Sequence, residues 1–244
     1  MILCVDVGNT SIFFGFVSDG EVLSSFRIPT YCDDYWSLLE NRLMGEKPRR
    51  VVISSVVPSV DVTLSEVLSC LTGQNPLFVK RDYDVPFEVA IEKPETLGAD
   101  RIADAYGAMR QYALPLLIVD MGTATTISVI DERGVFLGGT IGPGVMTSWE
   151  ALTHKAAQLK EYKLEIPDRV IGHSTQSCIN SGIIMGHAAM IDGMVSRIEA
   201  ETRKRYNIVV TGGMADQIAQ LCNRDVIVDT LLILKGIYYL AVRQ

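Results

Sequence analysis

One short pattern occurs twice in this chain, and the repetition narrows what the chain can fold into. Residues 2–8 read ILCVDVG and residues 116–122 read LLIVDMG, so each residue of the second copy lies 114 positions after its counterpart. Asn9-Thr10-Ser11 then aligns with Thr123-Ala124-Thr125. Both copies run on through β-branched and aromatic residues to a turn, Asp19-Gly20 in the first and Asp131-Glu132-Arg133-Gly134 in the second. Each copy therefore reads as strand, polar glycine turn, strand, turn, strand. Repeats of about 20–50 residues build solenoids. A spacing this long implies two related half-domains instead.

The rest of the chain fits that scheme. After the first meander (1–30), helical spacing of Trp36, Leu38, Leu39 and Leu43 predicts a helix over Tyr35–Met44. RVVISSVVP (50–58) reads as a buried strand ended by Pro58, Val62–Leu71 as a helix stopped by Gly73, and NPLFVK (75–80) as a strand. Arg101–Tyr112 reads as a helix joining the halves. In the second half, helices are expected over Ser148–Leu159, Asn180–Lys204, Ala215–Leu221 and Leu231–Val242, with strands at Asn207–Gly213 and Asp225–Val228. The Asn180–Lys204 pattern carries Ile183, Ile184, Met185, Met190, Ile191, Met194, Val195 and Ile198. That is more than one narrow stripe, which predicts burial against a second copy of the chain.

A net charge of -7 leaves no basic field for nucleic acid or an anionic membrane. Five cysteines at 4, 32, 70, 178 and 222, with no C-x-x-C, suit a reducing compartment rather than a disulfide framework. Asp6 interrupts the apolar start, and no run of about 18 apolar residues occurs, so neither a signal peptide nor a membrane span is expected. The chain reads as cytoplasmic.

A strand ending in Asp-x-Gly puts a carboxylate at the mouth of a turn whose glycine lets backbone N–H groups approach a ligand. Two such turns from facing halves can grip a polyphosphate, with the carboxylates beside it for cations; two plain hairpin turns are the structural alternative. TGG (211–213), between a strand and a helix, could carry an adenine or ribose, or be a plain turn. GADR (98–101) follows the loop IEKPETL and opens a helix. Asp100 there is either an N-cap or a proton acceptor beside a guanidinium. No P-loop, no G-x-G-x-x-G, no HExxH and no G-x-S-x-G occurs, and His154, His173 and His187 lie far apart.

The ordered set Asp6-Val7-Gly8-Asn9-Thr10, Gly98-Ala99-Asp100-Arg101, Asp120-Met121-Gly122-Thr123-Ala124-Thr125-Thr126 and Thr211-Gly212-Gly213 resembles the bacterial type III pantothenate kinases, of the actin/hexokinase/Hsp70 ATPase superfamily. GGTIGPG (138–144) and VIGHSTQSCINSG (170–182) also look like segments of that family, so the resemblance spans almost the whole chain. It implies an α/β fold of two duplicated ribonuclease-H-like (actin-like ATPase) half-domains, with mixed sheets flanked by helices. The halves are expected at 1–114 and 115–244. It also implies ATP-dependent phosphorylation of pantothenate to 4'-phosphopantothenate, the first step of coenzyme A biosynthesis.

Residue by residue, the resemblance implies that Asp6, Val7, Gly8, Asn9, Thr10 and Ser11 form the first phosphate motif, with Asp6 near Mg²⁺. Gly122 and Thr123 would contact ATP, and Asp120 would hold a monovalent cation, K⁺ or NH₄⁺. Asp100 would be the general base, with Gly98, Ala99, Asp100 and Arg101 on pantothenate. Thr175 would reach a substrate across the interface of a homodimer. Two departures stand out. Many relatives carry a substrate-contacting Tyr where this chain reads Ile91-Glu92-Lys93-Pro94, and many have Leu-Pro at Leu159-Lys160. Two rivals remain: a kinase of this fold for another small alcohol, and a degenerate homologue serving as an accessory transcription regulator. Intact Asp6, Asp100 and Asp120 weigh against the second.

Overall fold

The computed structural model describes residues 1–155 and 162–243. They form two compact units, Met1–Gln111 together with the C-terminal stretch from Leu231, and Tyr112–Thr230.

In the first unit, β1 (Ile2–Val7), β2 (Ser11–Ser18) and β3 (Glu21–Pro29) form the expected antiparallel meander. Asp19 and Gly20 both take positive φ (53° and 85°), the twist a two-residue hairpin requires. Next come α1 (Tyr35–Leu43), β4 (Val51–Ser55), α2 (Pro58–Thr72), β5 (Leu77–Phe78) and α3 (Ala99–Gln111). β4 lies parallel to β1, and the sheet order is β3-β2-β1-β4-β5. Pro58 does more than end a strand. It occupies the first turn of α2, where a missing N–H costs nothing, so that helix starts four residues before the expected Val62. One sheet face (Leu3, Val5, Val7, Ile12, Phe14, Ile53) packs on Leu39, Leu43, Leu64 and Leu68 of α1 and α2. Truncating one of these leucines to Ala costs about 2–5 kcal/mol.

The second unit repeats the topology. β6 (Leu116–Met121), β7 (Ala124–Ile130) and β8 (Phe136–Pro143) form a meander, followed by α4 (Val145–Lys155), α5 (Thr175–Asn180), a π-helical turn (Ser181–Met185), α6 (Gly186–Thr202), β9 (Asn207–Gly212), α7 (Ala215–Ala219) and β10 (Ile227–Val228). Its order, β10-β9-β6-β7-β8, matches the first sheet strand for strand when read from β8. The part of the Ser148–Leu159 expectation beyond Lys155, and the Leu159-Lys160 departure, lie outside the described residues.

The last helix, α8 (Leu232–Val242), corrects the boundary drawn from the sequence. It belongs to the first unit, where it packs on α3, β1 and β2, so the second unit is an insertion between α3 and α8 rather than the whole C-terminal half. A Cβ on Gly236 would sit 1.9 Å from the Ala103 carbonyl oxygen, and one on Gly107 2.9 Å from Gly236 Cα. The two helices thus cross backbone against backbone.

The ladders also adjust the repeat. Val7 pairs with Ile12 across the first turn, but Met121 pairs with Thr125 across the second. Gly8 N donates to the Ser11 carbonyl (3.1 Å), and Gly122 N to that of Ala124 (3.0 Å). Ser11 therefore corresponds to Ala124, not Thr125, and the second turn is one residue shorter.

The helical run 175–202 is long and apolar enough to cross a membrane by length and composition, with mean hydropathy 1.2. It is a core helix. Ile184, Ala188, Ile191 and Val195 are buried with Val119, Ile127 and Val210, and Ile183, Met190, Met194 and Ile198 pack partly buried beside them. The apolar excess that predicted a partner is thus taken up within the unit. The exposed positions are instead small or polar, Gly182, Gly186, Ala189, Gly193 and Ser196 among them.

Candidate active site

The first Asp-x-Gly turn sits at the C-terminal end of the central strand β1. Val7 is buried and Asp6 half-buried, while Asn9 and Thr10 are exposed. The turn is held from β3 and the residues after it. Thr30 N donates to the Thr10 carbonyl (3.1 Å), Thr30 Oγ1 to the Gly8 carbonyl (2.5 Å), and the Tyr35 hydroxyl to the Thr30 carbonyl. The register sets Ser54 beside Asp6 on β4. Its buried hydroxyl has no hydrogen-bond partner among the described residues.

GADR opens α3. Gly98 accepts from Ile102 N (3.1 Å) and so takes the capping position. Asp100 lies inside the first turn, and its Oδ1 accepts from the neighbouring Arg101 N (2.7 Å). The N-cap alternative for Asp100 is therefore wrong. A Cβ on Gly98 would lie 2.3 Å from Asp100 Oδ1, so glycine there leaves room for the carboxylate. Burial pushes the pKa of the Arg101 guanidinium down, against the opposing pull of Asp100 and Asp104. Asp104 is itself buried, one turn further along α3. The loop ahead of Gly98 is tied down by Lys80, whose ammonium donates to the carbonyls of Glu95 and Leu97 (2.8 Å to the second).

In the second unit three backbone turns meet at the ends of β6, β8 and β9. Gly144 N and Thr147 Oγ1 donate to the Thr123 carbonyl (2.9 and 2.7 Å). A Cβ on Gly144 would lie 2.2 Å from the Gly122 carbonyl oxygen, and one on Gly212 (φ 95°) 2.5 Å from that of Met121. Only glycine allows such approaches. Gly122 and Thr123 are exposed at this junction, and Asp120 is half-buried beside Thr211 on β9. Thr175 is exposed at the first position of α5, behind a capping box of Ser174 and Ser177.

The expected residues thus fall into two sets. Asp6–Ser11 and Gly98–Arg101 belong to the first unit, Asp120–Thr123 and Thr175 to the second. Asp6 and Asp120 each supply one carboxylate at a turn, and the described residues hold no cluster of three or more His, Cys, Asp or Glu. That donor set suits ions shared with a polyphosphate; Mg²⁺ is commonly held by one or two carboxylates plus substrate phosphates.

Sequence reasoning missed Thr30, which holds the first turn, Lys80, which ties down the loop ahead of Gly98, and buried Asp104, whose charge acts on Arg101. It also passed over His187, which is buried on α6 and hydrogen-bonded to Thr125 Oγ1 (2.8 Å), the first residue past the second turn. Burial lowers its pKa below 6.5, favouring the neutral ring. The π-helical turn just before it was a structural signal invisible in sequence; such bulges are frequent at functional sites.

Two five-stranded mixed sheets of one topology, each with an Asp-x-Gly turn at the end of its central strand, define the actin-like ATPase and sugar-kinase fold. Solved structures agree. A conserved Campylobacter jejuni protein named for the Baf family of transcriptional activators aligns with TM-score 0.65 at 21% identity, covering 99% of this chain and 98% of its own. The ethanolamine utilization protein EutJ of Carboxydothermus hydrogenoformans aligns at 0.57 and 15%, covering 98% and 89%. At these identities they speak to fold alone. The profile of type III pantothenate kinases matches residues 2–197. Type III pantothenate kinases of Sulfurihydrogenibium sp. (strain YO3AOP1) and Thermomicrobium roseum are 34% and 36% identical. They align over 98% and 97% of this chain and 99% and 95% of their own length. The chain belongs to the type III pantothenate kinase family.

Proposed function

We propose that this protein transfers the terminal phosphoryl group of ATP to the primary alcohol of pantothenate, forming 4'-phosphopantothenate for coenzyme A biosynthesis. The observation that carries the reading is the conjunction of two glycine turns on duplicated sheets with a carboxylate held free of its own helix cap at Asp100. Family membership supplies the substrate.

In this reading the N–H groups and hydroxyls of Gly8–Ser11 and Gly122–Thr123 hold the phosphates, and Asp120 a monovalent cation. When bound, the divalent and monovalent ions neutralise charge on the polyphosphate, which is most of what a loose phosphoryl-transfer transition state needs. Asp100 Oδ2 orients or accepts the alcohol proton, while Oδ1 stays anchored on Arg101 N. Arg101, whose guanidinium feels the charges of Asp100 and Asp104, binds the pantothenate carboxylate. Half-buried Ile91 leaves the substrate without a contact that many relatives draw from a Tyr in this loop.

A homodimer is part of the proposal, with the exposed face of the expected helix as its surface. The exposed small-residue face of 182–196 permits close helix approach. Exposed Ile141, Met146, Val170 and Ile171 in the same unit add apolar cover. Five free cysteines, Cys70 and Cys178 exposed, suit a reducing compartment such as the cytoplasm. The test is ADP release with and without pantothenate. Pantothenate-dependent release supports the reading, and equal rates refute it.

A further inference from the structure

The first phosphate turn has no cation of its own, since Asp6 is the only charged residue from Asp6 to Ser11. The sheet brings one to it. Asp6 pairs with Phe13 and Phe13 with Arg27, so the three side chains form a row on one face across β1, β2 and β3. Gly15, two residues from Phe13 and hence on the same face, lies under Leu234 of α8. The row therefore faces the side of the sheet where α8 packs with α3, the helix that carries Asp100 in its first turn.

Arg27 Cζ lies 3.6 Å from the Phe13 ring centroid, and Nη1 reaches Ser11 Oγ at 3.5 Å. A guanidinium packed against a ring spends its carbon on the aromatic contact and keeps N–H groups for other partners, and its planar fork can grip two oxygens of a phosphate. Its strand is fastened to the turn through Thr30, so the group is fixed relative to Gly8 and Thr10. Arg27 is exposed to solvent. We propose that Arg27 is a phosphate-binding residue of the first turn, contacting the β- or γ-phosphate of bound ATP. The proposal rests on reading Gly8–Ser11 as a phosphate turn.

The test uses Arg27→Met, which keeps an apolar stem over Phe13 and removes the charge, with Arg27→Lys as partial rescue. Mg-ATP and AMP are titrated calorimetrically into each protein. Loss of a charge-assisted contact should weaken ATP about tenfold or more, leave AMP unchanged, and give an intermediate value for Lys. Melting should move by no more than about 3 °C. Unchanged ATP binding would reduce Arg27 to a cover for Phe13 and overturn the proposal. So would equal weakening of ATP and AMP, or a rise confined to the pantothenate KM. A wild-type protein that binds ATP no tighter than AMP would instead refute the phosphate-turn reading itself.

Discussion

Replacing Gly98 with Ala should silence the enzyme without unfolding it. The added Cβ would lie 2.3 Å from Asp100 Oδ1, roughly 1 Å inside normal contact, so the carboxylate must swing away from its hydrogen bond to Arg101 N. A misplacement of about 1 Å can cost about 10²-fold in rate. Complete loss of a general base costs about 10²–10⁴-fold. The backbone has less reason to object, because Gly98 φ lies outside the left-handed region. Ala at a capping position costs about 1 kcal/mol, partly offset by a stiffer unfolded chain, so melting should fall by no more than about 4 °C. The assay is kcat at saturating ATP and pantothenate, for Gly98→Ala, Asp100→Asn and the double variant. If the methyl acts through the carboxylate, the double variant is no slower than Asp100→Asn alone. A Gly98→Ala enzyme within about threefold of wild type, or one costing a further tenfold on the Asp100→Asn background, would refute the reasoning.

Three further outcomes are expected. Wild-type turnover should rise with K⁺ well above its rate in Na⁺, and Asp120→Ala should abolish that response; equal rates in both salts would remove Asp120 from cation binding. His187 has its pKa lowered by burial from 6.5, so below that pH the unfolded chain takes up a proton that the folded one resists. Its contribution is full above 6.5 and is lost as pH falls toward the lowered value, and His187→Gln should flatten this acid limb in thermal melts; an unchanged limb would assign it to other groups. Met194→Glu sets a charge into the half-buried core of the second unit and should cost roughly 2 kcal/mol or more. A variant of normal melting temperature that no longer self-associates in sedimentation would return Met194 to an interface.

The parts of this molecule legible in the sequence are those governed by local rules. Asp19-Gly20 announces a hairpin, Gly73 ends α2 in the left-handed conformation (φ 70°), and the continuous apolar runs around Val5 and Val119 mark central strands buried on both faces. The chemistry-bearing segments were legible because the turn and GADR residues are concentrated and ordered. What stayed hidden depends on tertiary context. α8 is apolar nearly all round, with Leu232, Ile233, Leu234, Ile237 and Leu240 buried, so its pattern cannot say which sheet it covers. Adjacency in sequence suggested the second, but the first buries it. The one-residue shortening of the second turn is set by the Met121–Thr125 pairing, which a constant spacing conceals. The apolar load of the 175–202 run looked like a second interface because it is buried from several directions inside one unit. Asp104 and His187 read as ordinary polar residues in helical patterns, and only their burial beside Arg101 and Thr125 singles them out.

The most direct test of the central claim follows the phosphoryl group itself. The protein is incubated with ATP carrying an isotopic label in its terminal phosphate, with pantothenate, Mg²⁺ and K⁺, and the products are separated. Label should appear in 4'-phosphopantothenate in step with ADP, and Asp100→Asn should lower that transfer by about 10²-fold or more. Label found only in inorganic phosphate, or transfer untouched by Asp100→Asn, would contradict the account.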